Sequence, residues 1–72
     1  MKLIVNGEDL ETSAATVKEL LDALRTQPER VAVEVNLSIL KRAEYSSFAL
    51  KEGDKVEIVN FVGGGSMARK ED

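Results

Sequence analysis

Gly63-Gly64-Gly65 stands directly after a strand-like run, and seven residues follow it. Glycine lacks a Cβ, so such a segment can stay extended, take either sign of φ and enter a narrow groove. A carboxylate carried on the last of these glycines can reach another protein's active site with no side chain hindering attack at its carbonyl carbon. That is acyl chemistry in which this chain is the substrate and a partner does the catalysis. Here the terminal carboxylate lies elsewhere, because Ser66-Met67-Ala68-Arg69-Lys70-Glu71-Asp72 comes after Gly65. Removal of that extension decides whether Gly65 can react.

Other chemistry is excluded by what the chain lacks. It has no cysteine and no histidine, which removes disulfides, a thiolate nucleophile, iron–sulfur ligation and the usual zinc sites. The commonest general base at neutral pH is missing too, so an enzyme acting alone is not expected, nor a metal or cofactor. The net charge is −3, and no basic cluster offsets it, which argues against nucleic acid as a partner. No apolar stretch approaches the ~20 residues that span a bilayer, and Met1-Lys2-Leu3 opens a strand, not a signal peptide. The expectation is a cytoplasmic protein with no membrane partner, monomeric when alone.

Seventy-two residues make one small domain, 43% hydrophobic and 32% charged, with no room for a second core. Lys2 to Val5 reads as a strand ending at Asn6-Gly7, a two-residue hairpin turn, and Glu8 to Thr12 as its return strand. Thr16 and Glu19 have the spacing of a capping box. Val17, Leu20, Leu21 and Leu24 then recur at helical spacing, one apolar stripe over two to three turns, and Pro28 stops any continuation. Val31, Val33 and Val35 alternate with Ala32, Glu34 and Asn36 as in a half-buried strand. From Leu37 to Leu50 the pattern is mixed, with Ile39, Leu40, Tyr45, Phe48 and Leu50 as core contacts. Lys51 to Asp54 is a turn, and Lys55 to Val62 the last strand.

Strand, strand, helix, strand, irregular segment, strand: this order predicts an α+β fold of the β-grasp (ubiquitin-like) type. One main helix crosses a mixed sheet of four or five strands, with the first and last strands parallel neighbours. Residues 1–62 form the domain, and 63–72 a flexible glycine-rich tail whose extension, 66–72, is removable. The expected core comprises Leu20, Leu21, Leu24, Val33, Val35, Val56 and Ile58.

The hairpin start, the Thr16-Val17-Lys18-Glu19-Leu20-Leu21 helix, the Val31-Ala32-Val33-Glu34-Val35-Asn36 strand and Lys41-Arg42-Ala43-Glu44 follow in a recognisable order. Glu52-Gly53-Asp54 and Val56-Glu57-Ile58-Val59 before the glycines complete it. Over residues 1–65 the chain resembles the sulfur carriers of the thiamin pathway, the ThiS group of the ubiquitin-like ThiS/MoaD family. The small subunit of molybdopterin synthase shares the fold and the Gly-Gly end, but is usually longer and often reaches its glycines through prolines, and neither feature is present here.

The resemblance implies a carrier with no cofactor of its own. An E1-like (ThiF-like) enzyme would use ATP to adenylate the terminal glycine, and a persulfide sulfur would then convert it to a thiocarboxylate. A thiazole synthase (ThiG-like), or another sulfur-accepting synthase, would take the sulfur. Carried onto this sequence, the reacting carbonyl belongs to Gly65, with Gly63 and Gly64 threading the partner's channel. The extension implies a processing protease. A run of glycines at a chain end is by itself a flexible linker; directly after the last β-grasp strand it is read as functional.

Strand alternation adds a docking face. If Leu3, Val5, Val56 and Ile58 face the helix, then Ile4, Val59 and Phe61 face outward. With Val62 they make an apolar patch leading to the glycines, fit for a partner to cover. Lys41 and Arg42 are read as solvated charges, Asn6-Gly7 and Gly53-Asp54 as turn chemistry alone. The competing reading is a ubiquitin-like protein modifier, or an interaction module whose glycines are only an arm. Within the carrier reading, cysteine, siderophore and molybdenum or tungsten cofactor pathways stand beside thiamin.

Overall fold

The computed structural model describes residues 1–61 and the backbone of Val62 and Ser66–Met67. Six strands and one α-helix are present among them: β1 (Lys2–Val5), β2 (Glu8–Glu11), α1 (Val17–Ala23), β3 (Val31–Val35), β4 (Ser38–Ile39), β5 (Lys55–Val62) and β6 (Ser66–Met67). The sheet runs in the order β2-β1-β5-β3-β4. β1 and β5 are parallel neighbours, Ile4 opposite Lys55 and Val5 opposite Val56, while β2, β3 and β4 pair antiparallel. This is the mixed sheet under one helix that the element order predicts.

Local chemistry sets each boundary. Asn6 and Gly7 take φ 50° and 83°, the left-handed pair that matches the twist of a tight hairpin. At the start of α1 the Glu19 amide donates to Thr16 Oγ1 at 3.2 Å. The return bond reaches one residue further back than a capping box requires: Glu19 Oε1 accepts from the Ala15 amide at 2.8 Å. The amides of Val17 and Lys18 donate to the carbonyls of Phe48 and Tyr45. The irregular segment after β4 thus satisfies helix donors that have no partner within the helix.

α1 ends in a Schellman arrangement. The Thr26 amide donates to the Leu21 carbonyl at 2.8 Å and the Arg25 amide to that of Asp22 at 3.0 Å, with Arg25 left-handed at φ 57°. Glycine is the usual occupant of that position. The early end corrects one expectation: Leu24 is the C-cap, outside the helix, and is 39% exposed. It lies beside Val5 and Leu10 at the sheet edge and does not join Leu20 and Leu21 in the core.

The core lies between α1 and one face of the sheet. Leu3, Val17, Leu20, Leu21, Val33 and Val56 are fully buried, Val31 and Val35 nearly so, and Val5, Leu10, Phe48 and Ile58 pack around them. Leu40, Tyr45 and Leu50 close the open side. Ile39 does not join them, being 74% exposed. On β4 it is opposite Glu34 of β3, so it shares the face of Glu34, and alternation sends the next residue, Leu40, inward.

Tyr45 carries a pH dependence. Its hydroxyl donates to the Val31 carbonyl at 3.3 Å, and burial raises its pKa above the ordinary 10.0. The unfolded chain therefore ionises first. Stability should be fully present below about pH 10 and fall as pH rises through the folded pKa. Thermal melts across this range should show the fall, and Tyr45→Phe should flatten it. Tyr45 is the one tyrosine, so ultraviolet absorbance follows its ionisation directly.

Candidate functional site: the end of the last strand

β5 is the longest strand, and it delivers the chain to the glycines. Its first half is paired on both sides, by β1 and by β3. β1 stops at Val5, and there the Asn6 side chain takes over. Its Oδ1 accepts from the Ile58 amide at 2.8 Å and its Nδ2 donates to the Ile58 carbonyl at 3.3 Å. A second asparagine, Asn36 at φ 51°, holds the start of β5 from the other edge. Its Oδ1 accepts from the Lys55 amide at 3.0 Å, and its Nδ2 donates to Asp54 Oδ1 at 3.0 Å. Asp54, buried, also accepts from the Lys51 amide at 2.8 Å.

Each asparagine therefore shapes a turn and pins β5. The sequence reading assigned Asn6 to turn chemistry alone and missed this. The signal was available in kind: an asparagine can tolerate positive φ and still carry an amide that mimics a peptide. Asn6→Gly should keep the turn and lose both bonds to Ile58. Amide exchange at Ile58 should then quicken about tenfold, as for the loss of roughly 1–1.5 kcal/mol; an unchanged rate would show the clamp to be ornamental.

The expected docking residues are placed as follows. Leu3 and Val56 are buried, and Val5 and Ile58 pack against the core. Ile4, Val59 and Phe61 are half-buried. Val59 and Phe61 lie two residues apart on β5, so they share a face, and Val59 is opposite Ala32. Ile4 is opposite Lys55, four residues short of Val59, or about 13 Å at the usual strand rise. The structure thus brings Val59 and Phe61 together, with Ile4 standing apart from them beyond Glu57. Only the backbone of Val62 belongs to the described residues.

Phe61 and Val62 pair antiparallel with Met67 and Ser66 of β6. The extension, expected as part of a flexible tail, runs back along the strand at these two residues. Gly63, Gly64 and Gly65, the candidates for channel binding and reaction, and residues 68–72 lie outside the described residues. Arg25, Thr26, Gln27, Arg30 and Asn60 line a cleft with Phe61. Nothing in the sequence reading had joined those two arginines to β5.

The ThiS family model matches residues 3–65, from β1 through the last of the three glycines. The chain belongs to the ThiS family. The match ends at Gly65 and leaves Ser66 to Asp72 outside it. The sulfur carrier protein ThiS of Bacillus subtilis is 35% identical over 65 residues, which cover 88% of this chain and 98% of that one. The crystal structure of the thiamine biosynthesis protein ThiS from Geobacter metallireducens is similar with a TM-score of 0.76 and 42% identity, over 90% of this chain and all of that one. A thiazole synthase of Paramagnetospirillum magneticum is 49% identical over 67 residues, 92% of this chain and 21% of that protein. The chain spans about a fifth of the length of the thiazole synthases it matches.

No groups of three or more acidic residues able to hold a metal ion occur among the described residues. No helix among them is long and apolar enough to cross a membrane.

Proposed function

We propose that this chain is a sulfur carrier for thiamin thiazole formation, a protein co-substrate and not a catalyst. Family membership up to Gly65 is the observation that carries the reading. Two kinds of relative support it: a stand-alone protein named as a sulfur carrier, and larger proteins named as thiazole synthases that share this sequence over part of their length. A carrier sequence within a synthase is what direct sulfur delivery favours, since tethering raises the effective concentration of the donor.

The chemistry follows from the chain end. After removal of Ser66 to Asp72, an E1-like adenylating enzyme binds the Gly65 carboxylate and ATP. A carboxylate oxygen attacks the α-phosphorus, and pyrophosphate leaves. The acyl-adenylate is a good electrophile where the carboxylate was a poor one. A persulfide sulfur then adds at the Gly65 carbonyl carbon and AMP leaves; reduction of the sulfur–sulfur bond by a thiol completes the thiocarboxylate, which gives its sulfur to the synthase. Gly63 and Gly64 allow the close approach, and Val59 and Phe61 with Val62 dock the domain.

A strain of the source organism lacking this gene should require thiamin or its thiazole. A plasmid copy should restore growth, and a copy ending at Gly64 should not. Growth independent of thiamin in the deletion strain would sink the pathway assignment. Covalent conjugates of the chain on other proteins, seen on a denaturing gel, would favour the modifier reading instead.

Docking has its own test. Phe61→Asp places a charge where an apolar contact must be desolvated. Binding to the adenylating enzyme should weaken by about tenfold to a hundredfold, with the melting temperature little changed. Unchanged binding would remove Phe61 from the interface.

A further inference from the structure

The cleft beside Phe61 has a volume of about 590 Å³ and is lined by Arg25, Thr26, Gln27, Arg30, Asn60 and Phe61. Arg25 and Arg30 are both exposed, and neither is in an ion pair among the described residues. Glu29, the carboxylate nearest in sequence, is exposed and also pairs with neither. This is a positive notch on a chain whose net charge is −3. It is built from two separate elements: Arg25 closes α1, and Arg30 ends the 3-10 turn Pro28–Arg30 that leads into β3.

Arg25 occupies the left-handed position at φ 57°, where glycine would be relaxed. A cation there complements the negative end of the helix, but that does not explain the second arginine across the cleft. Position explains both. Gly65 is four residues beyond Phe61, at most about 14 Å when the chain is extended. When Gly65 is held for reaction inside a partner, the cleft therefore lies at the base of the inserted tail, against the rim of the partner's channel.

We propose that the Arg25–Arg30 cleft is an electrostatic docking site for acidic side chains on the rim of the adenylating enzyme's tail channel. Guanidinium forks bind carboxylates bidentately, which would fix the rotation of the domain about its tail, something the apolar contact of Val59 and Phe61 does not define. Thr26, Gln27 and Asn60 supply polar edges, and Phe61 continues the apolar face into the cleft. The proposal rests on the carrier reading above.

The test is binding of the adenylating enzyme of the same organism to the wild-type chain and to the double variant Arg25→Gly/Arg30→Gln. Both are measured as the 72-residue chain and as the chain ending at Gly65, over a series of salt concentrations. Glycine suits position 25, so the double variant should melt no lower than wild type. Its affinity should fall by about tenfold or more, with a slower association rate and a flatter salt dependence. Equal affinity with the same salt slope would overturn the proposal. A loss of melting temperature confined to the 72-residue double variant would assign the cleft to the chain's own Glu71 and Asp72, and also overturn it. If wild type binds the enzyme in neither form, the carrier reading itself fails and the docking site with it.

Discussion

The chain ending at Gly65 should support ATP–pyrophosphate exchange by an E1-like partner, and the 72-residue chain should not. An adenylating enzyme must hold the carboxylate against the α-phosphorus of ATP, and much of its rate comes from that positioning. In the 72-residue chain the last carboxylate belongs to Asp72, behind Arg69, Lys70 and Glu71, and these side chains do not fit a channel shaped for glycine. β6 adds a second obstacle, because Ser66 and Met67 occupy the backbone of Val62 and Phe61, next to the proposed docking face. The effect should be near all-or-none, and addition of a protease that cuts after Gly65 should restore exchange. Equal exchange by both forms would refute the precursor model.

The second large effect is on stability. Leu21 is fully buried at the centre of α1, and Leu21→Ala removes most of a side chain that close-packed neighbours cannot replace. The expected loss is about 2–5 kcal/mol. For 72 residues the total stability scales to roughly 4–11 kcal/mol, so this single change should take a large share of it. Urea unfolding should show a much lower midpoint with an unchanged slope. Leu24→Ala, which the stripe alone would rank as equal, should cost far less, because Leu24 is 39% exposed. Equal losses at the two positions would contradict the early end of the helix.

That contrast shows where the sequence was legible. Spacing located α1, and Thr16 and Pro28 bracketed it, but the turn at which it ends was decided by the Schellman bonds of Arg25 and Thr26. No residue-type rule places arginine there. Val31, Val33 and Val35 on β3 and Val56 on β5 were readable because alternate residues of a strand face the core, and the parallel β1–β5 pairing followed from element order. Ile39 was misplaced because β4 has only two residues, too few for alternation to show. Its hairpin turns on Asn36 and Leu37 at φ 51° and 73°, and leucine gives no turn signal.

At the candidate site, the glycines and the apolar residues of β5 were visible because their chemistry lies in residue type. The Asn6 and Asn36 clamps and the pairing of Arg25 with Arg30 were not, because they depend on which distant segments the register brings to β5. The separation of Ile4 from Val59 is a register fact of the same kind.

The most direct measurement is the intact mass of this chain isolated from its own cells under non-reducing conditions. The carrier account predicts a species ending at Gly65, part of it heavier by the exchange of one oxygen for one sulfur, with the sulfur localised to the terminal carbonyl by fragmentation. Loss of the sulfur form in cells lacking the adenylating enzyme should accompany it. A single species ending at Asp72, with no sulfur under any condition in which thiamin is being made, would contradict the account.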